Sequence, residues 1–231
     1  MADKERRTRA FEEVLFQIER RITDDGLRVG DRLPGERQLA EQLQVSRASV
    51  REALRVLETL GVLSSQVGRG PDAGAVLTSR PDSALTDLLR LSLGLSSLTM
   101  REVVDTRLMI ERWSAEQAAR RAALAPSGLK AVTAAMLAME AATGAEEFVR
   151  HDMAFHAAIA EASGNRFIAA VMRALRGAMR RYAIEAVERL GDTAVLREDH
   201  RRIHAAITTG DAAAAVEAVT AHLAHAYPEL F

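Results

Sequence analysis

The fold of the N-terminal part of the chain is decided by residues 33–70, LPGERQLAEQLQVSRASVREALRVLETLGVLSSQVGRG. Apolar side chains at helical spacing predict a helix from Glu36, and the segment that begins at Arg47 predicts a longer one. Ser46 can cap the start of the longer helix, and Gly61 can end it. The sequence therefore predicts two helices that are separated by a tight turn.

Elements on both sides of this stretch complete a small domain. Upstream, apolar residues from Phe11 to Ile22 follow a helical stripe, and we predict a first helix that ends near Thr23. Downstream, VLSSQV and AVLTS predict two short strands, which the turn GRGPDAG joins into a hairpin. Three helices followed by a hairpin is the order of a winged helix-turn-helix, whose third helix enters the major groove of DNA.

Arg47, Arg51 and Arg55 recur every four residues, so they share one face of the predicted third helix. Arginine suits base recognition because its guanidinium can donate two hydrogen bonds to one guanine. Ser46 and Ser49 lie at the start of the helix, where hydroxyl and backbone N–H groups can bind phosphate. We predict that the opposite side of the helix is buried through Val50, Leu54, Leu57 and Leu60.

Overall charge does not separate a DNA-binding face from an ordinary solvated one. The chain has 31 basic and 32 acidic side chains and a formal net charge of −1. Nucleic acid would therefore have to be bound through a local arrangement of basic residues. A solvated face on which Glu52 pairs with one of the arginines explains the same spacing, and periodicity leaves both interpretations open.

The remainder of the chain predicts packed helices, because it is rich in alanine and its apolar residues recur at three- and four-residue spacing. Thr99 and Glu102 fit a capping box, and Asp192 and Asp211 each follow a glycine that can end the preceding helix. The predicted helices lie near 83–94, 99–124, 127–142, 145–162, 165–190, 193–209 and 211–227.

We therefore predict a mostly α fold of two domains. A winged helix-turn-helix is expected over residues 1–79, and an antiparallel bundle of about six or seven helices over residues 80–231. No apolar run approaches the roughly 20 residues that span a bilayer, and the charged N-terminus is unlike a signal peptide, so we expect a cytoplasmic protein without a membrane partner. The chain contains no cysteine, so a bound metal would need nitrogen and oxygen ligands.

Histidine occurs only after residue 150. Asp152 and His156 are four residues apart, so in a helix they share a face. Imidazole and carboxylate together suit divalent transition metals, but a solvated polar face has the same spacing. Two later helices could add ligands, and their histidines are His200, His204, His222 and His225. Spacing alone does not select among them.

The helix-turn-helix segment resembles the DNA-binding domain of the GntR superfamily of bacterial transcription regulators. The resemblance is carried by the Leu-Pro-x-Glu-Arg start, the Val-Ser-Arg turn, the Arg-Glu-Ala-Leu helix and the Gly-x-Gly wing. It implies that Arg37, Arg47 and Arg51 contact DNA and that the wing contact lies at Gly68 and Arg69. The wing departs from the family pattern, because GRGPDAGAVL replaces a Gly-x-Gly followed by Thr, an aromatic residue and Val.

The C-terminal half resembles the all-helical effector domain, of the FCD type, of the FadR subfamily of GntR regulators. The matching segments are DTRLMIE, DMAFHAAIAEASGN, EDHRRIHAAITTGD and AHL. In metal-binding members the ligands are the Asp and His of an Asp-x-x-x-His helix and one His from each of the last two helices. The resemblance implies a site made of Asp152, His156, His200 and His222, with zinc as the first candidate and nickel, manganese or iron as others.

Four protein ligands leave coordination positions for water or for oxygen atoms of a small organic acid. Arg107 matches the arginine of the family's effector domain and is expected to bind the carboxylate, although a pair with Glu111 explains the same spacing. Asn165 is expected either near the effector or as the cap of the next helix. His204 lies one turn from His200 and could contact the effector.

Together these features predict a homodimeric transcription regulator, a repressor, that binds a palindromic operator in double-stranded DNA and a small carboxylate at a metal site. Dimerisation is expected from the family and from half-site geometry. One alternative is a DNA-binding regulator whose metal is purely structural, and another is a metal-dependent hydrolase. We do not expect an enzyme, because the sequence has neither a His-Glu-x-x-His motif nor a placed general base.

Overall fold

The computed structural model describes residues 2–66, 74–78, 81–122, 124 and 126–230. Over these ranges the fold is mostly α, as the sequence predicts, with one two-stranded sheet. None of the helices in these ranges combines the length and apolar character that a bilayer crossing needs. The helices are α1 Ala2–Asp24, α2 Glu36–Leu43, α3 Arg47–Thr59, α4 Pro81–Gly94, α5 Met100–Ala122, α6 Lys130–Ala141, α7 Ala145–Ala162, α8 Arg166–Leu190, α9 Ala194–Thr209 and α10 Ala212–Ala226.

The chain divides into two compact units, one up to Ala84 and one from Leu85 onward. In the first unit α1 and α2 pack on α3, and strands β1 (Leu63–Gln66) and β2 (Gly74–Leu77) pair antiparallel. The shared core of these elements includes Val14, Ile18, Leu33, Leu39, Val50, Leu57, Leu63 and Leu77. Three helices and a hairpin therefore form the winged helix-turn-helix.

Capping residues set the position of α3. Ser46 accepts a hydrogen bond from the backbone N–H of Ser49 at 3.0 Å, and the chain leaves the helix at Gly61 with φ of +71°. Leu60 was expected in the buried stripe, but this prediction is wrong, because Leu60 caps the helix and is 45% exposed. Ala53 is fully buried and takes its place on the packed side.

The second unit is a helical bundle in which α5 contacts α7, α8, α9 and α10. Two hydrogen-bonding patterns predicted from the sequence define helix starts. Thr99 N–H donates to the Glu102 carboxylate at 2.8 Å, and Asp211 accepts from the N–H of Ala214 at 2.9 Å. The buried side of α5 is unusual because it contains Arg107 and Glu111 as well as apolar residues. Such groups need partners inside the bundle.

Candidate metal centre and candidate DNA-binding face

Helix α3 presents Arg47, Arg51 and Arg55 as exposed side chains. Arg51 donates from Nη2 and Nε to Oε2 of Glu36 in α2, at 2.8 and 3.0 Å. The carboxylate that pairs with Arg51 therefore comes from the neighbouring helix, whereas the solvated interpretation of this face invoked Glu52. An exposed pair of this kind adds little stability, so its main effect is to orient the guanidinium.

The other residues expected to contact DNA are found in three places. Arg37 is exposed on α2, with its Nε 4.0 Å from Glu41 Oε1. Ser46 and Ser49 stand at the start of α3 with their hydroxyl oxygens 2.9 Å apart, and the Ser46 hydroxyl already caps the helix. Gly68 and Arg69 of the wing lie outside the described residues.

Asp152, His156, His200 and His222 are brought together inside the bundle. One candidate ligand atom from each of the four residues lies within 4.8 Å of the others. Helix α7 carries Asp152 and His156 on its buried face, α9 carries His200, and α10 carries His222. All four side chains are buried. Asp152 and His156 of α7 therefore belong to a buried polar cluster and not to a solvated face.

The cluster is organised around one oxygen of Asp152. Its Oδ1 lies 3.3 Å from His156 Nε2 and 3.0 Å from His200 Nε2. The ring of His222 lies 4.4 Å from that of His200 and 5.1 Å from that of His156, measured between centroids. Three imidazoles and one carboxylate oxygen therefore converge on a single point.

Hydrogen bonding defines which nitrogen of His200 faces this point. Its Nδ1 lies 2.5 Å from the carbonyl oxygen of Leu196, which can only accept, so Nδ1 carries the proton. Burial and the neighbouring His156 lower the pKa of His200 to about 3, so the ring is neutral at physiological pH. The lone pair of Nε2 then faces the Asp152 carboxylate, and two acceptors lie 3.0 Å apart. A cation between them would remove that repulsion.

The chemistry of the group fits a divalent metal. Burial and His200 lower the pKa of His222 well below its usual value, so this ring is also neutral. Neutral imidazole is the form that binds metals, and a set of nitrogen ligands with one carboxylate is typical of zinc, nickel or iron sites. His156 Nε2 and His222 Nδ1 have no hydrogen-bond partner among the described residues. The chain therefore has a buried group that could hold a metal ion.

Three residues that sequence analysis did not assign to the cluster surround it. Asp152 forms an ion pair through Oδ2 with Arg176 of α8. Glu111 Oε2 lies 2.8 Å from His156 Nδ1, although the N–H is not aimed directly at it. Burial opposes the ionisation of Glu111, but the charge of Arg107 outweighs this effect and holds the pKa of Glu111 well below its usual value.

Asp199 is the third of these residues. Its Oδ2 lies 2.8 Å from Nδ1 of the half-exposed His225 and 3.8 Å from Nδ1 of His222. Asp199 is next to His200 in the sequence and therefore projects about 100° away from it on the helix. The position of Asp199 beside His200 was the only sequence signal that it lies near the cluster. Periodicity did not indicate which residues the Asp199 side chain contacts.

Arg107 forms the pair with Glu111 that the sequence offered as an alternative to effector binding. Its Nε donates to Glu111 Oε1 at 2.8 Å and its Nη1 to the Tyr227 hydroxyl at 2.9 Å, while Nη2 has no hydrogen-bond partner among the described residues. Arg107 also lines a cavity of about 30 Å³ together with Asp152, His222 and Tyr227. A cavity of this size has space for about one water molecule.

Asn165 and His204 are used elsewhere in the bundle. Asn165 Oδ1 accepts from the N–H groups of Phe167 and Ile168 at 3.1 and 3.2 Å, so it caps α8. His204 Nε2 lies 2.8 Å from the hydroxyl of Thr133 in α6. These contacts lie outside the metal cluster, and the expectation that the two residues contact an effector stays a prediction.

Two domain families match this chain. Residues 11–71 match the family described as bacterial regulatory proteins, gntR family, and residues 102–225 match the FCD domain. A transcriptional regulator of the Uxu operon from Escherichia coli (strain K12) is 31% identical over 225 residues, which cover 93% of this chain and 84% of the relative. This chain belongs to the GntR family.

Other GntR-family regulators align over similar lengths. A protein of E. coli (strain K12) named for the regulation of the L-lactate dehydrogenase operon is 31% identical over 93% of this chain and 84% of its own. LutR of Bacillus subtilis (strain 168) is 28% identical over 87% and 92%. The relatives are transcription regulators, and this GntR-family chain is likewise a regulator and not an enzyme.

The fold is also that of a solved GntR structure. The GntR protein of Streptococcus agalactiae superimposes with a TM-score of 0.67 and 24% sequence identity, covering 95% of this chain and 99% of that one. At this identity the likeness concerns the fold alone. It agrees with a winged helix-turn-helix followed by a helical domain.

Proposed function

We propose that this GntR-family regulator is a homodimeric, cytoplasmic repressor that responds to a small organic acid bound at a metal ion. The observation that carries the proposal is the convergence of Asp152, His156, His200 and His222, whose ligand atoms lie within 4.8 Å of one another. A metal held by these residues would supply a Lewis-acidic anchor for carboxylate and hydroxyl oxygens. Zinc is the first candidate.

Two buried cations support an acidic ligand. Arg107 has an N–H group without a hydrogen-bond partner among the described residues, and it lines the same cavity as Arg176. Guanidinium groups bind carboxylates strongly because two N–H donors can meet two oxygens. One relative is named for an operon of L-lactate dehydrogenase, and L-lactate is a hydroxy acid, so it is a suitable first ligand to test.

In the other unit, we assign operator recognition to the exposed face of α3. Arg47 and Arg51 are exposed and would reach base edges, and Arg37 would contact the backbone or a base nearby. Ser46 and Ser49 would bind phosphate at the start of the helix. A dimer presents two such helices to successive major grooves, about 34 Å apart, which explains the expectation of a palindromic operator.

Regulation requires that the acid bind one arrangement of the dimer more tightly than another. For a repressor, the operator binds the other arrangement more tightly. By linkage, the acid then weakens operator binding by the same free energy by which the operator weakens binding of the acid, about 1–3 kcal/mol in typical allosteric proteins. For a repressor, the acid lowers operator affinity.

Elemental analysis of the purified, tag-free protein tests the metal. We expect about one divalent ion per chain, lost in both His200→Ala and His222→Ala, because each substitution removes a ligand. His204→Ala is the matched control, since His204 lies on the same helix as His200 but contacts Thr133. Wild-type protein that stays metal-free after incubation with zinc would reject the metal site.

Operator binding with and without L-lactate tests the response. An affinity that falls on adding the acid to the zinc-loaded protein, but not to the His222→Ala variant, supports a metal-anchored effector. The size of the cavity, about 30 Å³, favours a second candidate function in which the metal is purely structural. In that case zinc stabilises the fold, and operator affinity stays constant across a panel of hydroxy and dicarboxylic acids.

A further inference from the structure

We infer that Glu111 is a positioning residue, which holds His156 in the orientation that a metal requires and connects the metal group to Arg107. The inference rests on the proposed metal site. It concerns a carboxylate on α5, whereas the four candidate ligands lie on α7, α9 and α10.

The two oxygens of Glu111 have different partners. Oε1 accepts from Arg107 Nε at 2.8 Å, and Oε2 lies 2.8 Å from Nδ1 of His156. Both pairs are buried, with side-chain exposures of 1% for Arg107, 4% for Glu111 and 1% for His156. Few bulk waters can compete for these contacts, so they are strong determinants of side-chain orientation.

The contact with Glu111 determines which nitrogen of His156 is free for a metal. An ionised carboxylate can only accept, so the nitrogen beside it carries a proton. In a neutral ring the lone pair is then on Nε2, which lies 3.3 Å from Asp152 Oδ1 and so faces the other ligands. Metal-binding histidines commonly donate their second N–H to a carboxylate, and this is the role inferred for Glu111.

A carboxylate is the side chain that presents an acceptor oxygen to both neighbours, Oε1 to Arg107 Nε and Oε2 to His156 Nδ1. Arg107 Nε is a donor, and His156 Nδ1 is a donor in the tautomer inferred here, so each needs an oxygen acceptor. Glutamine offers a single oxygen, and its amide NH2 would face one of the two N–H groups. Glu111→Gln therefore keeps the shape of the side chain but loses one of the two contacts.

The three histidines of the cluster are held in different ways. His200 is fixed by a backbone carbonyl, at 2.5 Å, and His222 has a carboxylate oxygen of Asp199 at 3.8 Å. His156 is held by a side chain that also binds Arg107. A ligand carboxylate that binds Arg107 would therefore weaken the contact between Arg107 and Glu111. Because Glu111 also contacts His156, this change would alter the position of His156.

Zinc affinity of the metal-free full chain, measured by competition with a chromophoric chelator, tests this role. We expect Glu111→Gln to weaken zinc binding roughly 10- to 100-fold, the usual effect of losing the hydrogen-bond partner of a metal-binding histidine. The matched control is Glu116→Gln, which breaks an exposed pair with Arg120 on the same helix and should leave zinc affinity unchanged. Equal affinity in wild type and a folded Glu111→Gln variant would overturn the inference.

Nitrogen-15 NMR of labelled histidine in the metal-free protein gives a second readout, with the His156 signals assigned by their loss in His156→Gln. We expect wild-type His156 to carry its proton on Nδ1, and Glu111→Gln to populate the other tautomer. A proton on Nε2 in the wild type would overturn the inference even if Glu111→Gln failed to fold. Wild-type protein that bound no zinc yet showed the Nδ1 tautomer would reject the metal site and support the orienting contact.

Discussion

Arg51 shows how a side chain on the exposed face of α3 can be oriented by a neighbouring helix. Its guanidinium is held by Glu36 through Nε and one Nη, while the side chain remains 53% exposed. The outer edge of the guanidinium is still available to donate to a base. Because both partners are exposed, the pair contributes little to folding.

We therefore expect Arg51→Ala to abolish sequence-specific binding and to leave the free energy of unfolding nearly unchanged. Fluorescence anisotropy with an operator selected from random duplexes, and with an unrelated duplex, measures the specific and non-specific affinities. Arg55→Ala, one turn farther along α3, serves as the comparison and should lower both affinities to a similar, smaller extent. Undiminished discrimination by Arg51→Ala would reject α3 as the recognition helix.

At the scale of elements, several helices of the second unit begin or end at capping residues, and this explains why the sequence predicted the bounds of these helices closely. The glycine and aspartate at 210–211 and the pair Thr99 and Glu102 are local signals, so spacing alone identifies them. The partners of a buried charge are not local. Arg176 of α8 contacts Asp152, and Glu111 of α5 contacts His156. These contacts depend on how the helices pack.

The same distinction explains why spacing alone did not select the residues of the cluster. The four candidate ligands were identified by resemblance to a family pattern, since periodicity also allowed His204. On the helix His204 lies one turn beyond His200, but the packing of α6 against α9 gives it Thr133 as a partner. Asn165 is used to cap α8, which is a local role that the sequence had already offered as an alternative.

Zinc is expected to stabilise the packing of α7, α9 and α10, because its proposed ligands come from all three helices. A ligand that binds the folded state at 100 times its dissociation constant adds about 2.7 kcal/mol to the free energy of unfolding. We expect the melting temperature of the metal-free protein to rise with added zinc and to fall again with a chelator. Circular dichroism at 222 nm measures the change.

His222→Ala should lose this zinc-dependent rise, whereas His204→Ala should keep it. A rise that survives in His222→Ala would mean that zinc binds elsewhere on the chain.

For the molecule as a whole, the proposed dimer makes the spacing between operator half-sites a geometric requirement. Two recognition helices that enter successive major grooves need half-sites about 10 base pairs apart, on one side of the duplex. An insertion of about five base pairs rotates one half-site by roughly half a turn. The two recognition helices could then no longer reach both half-sites at once.

We expect this insertion to reduce affinity to that of a single half-site, and the loss should be large because two linked contacts become one. Gel-shift titration of the original and the extended operators measures the effect, and sedimentation analysis gives the number of chains bound. Equal affinity for both operators, or one chain per operator, would contradict the proposed dimeric recognition.

The convergence of ligands from three helices in a chain without cysteine has one more consequence. A metal held there would act as a cross-link between segments far apart in the sequence, as a disulfide does in secreted proteins. Zinc has no redox chemistry of its own and the site has no thiolate, so oxidants and reductants would leave this cross-link intact. It would instead respond to the availability of the metal, so the stability of the fold would depend on the supply of metal ions and not on oxygen.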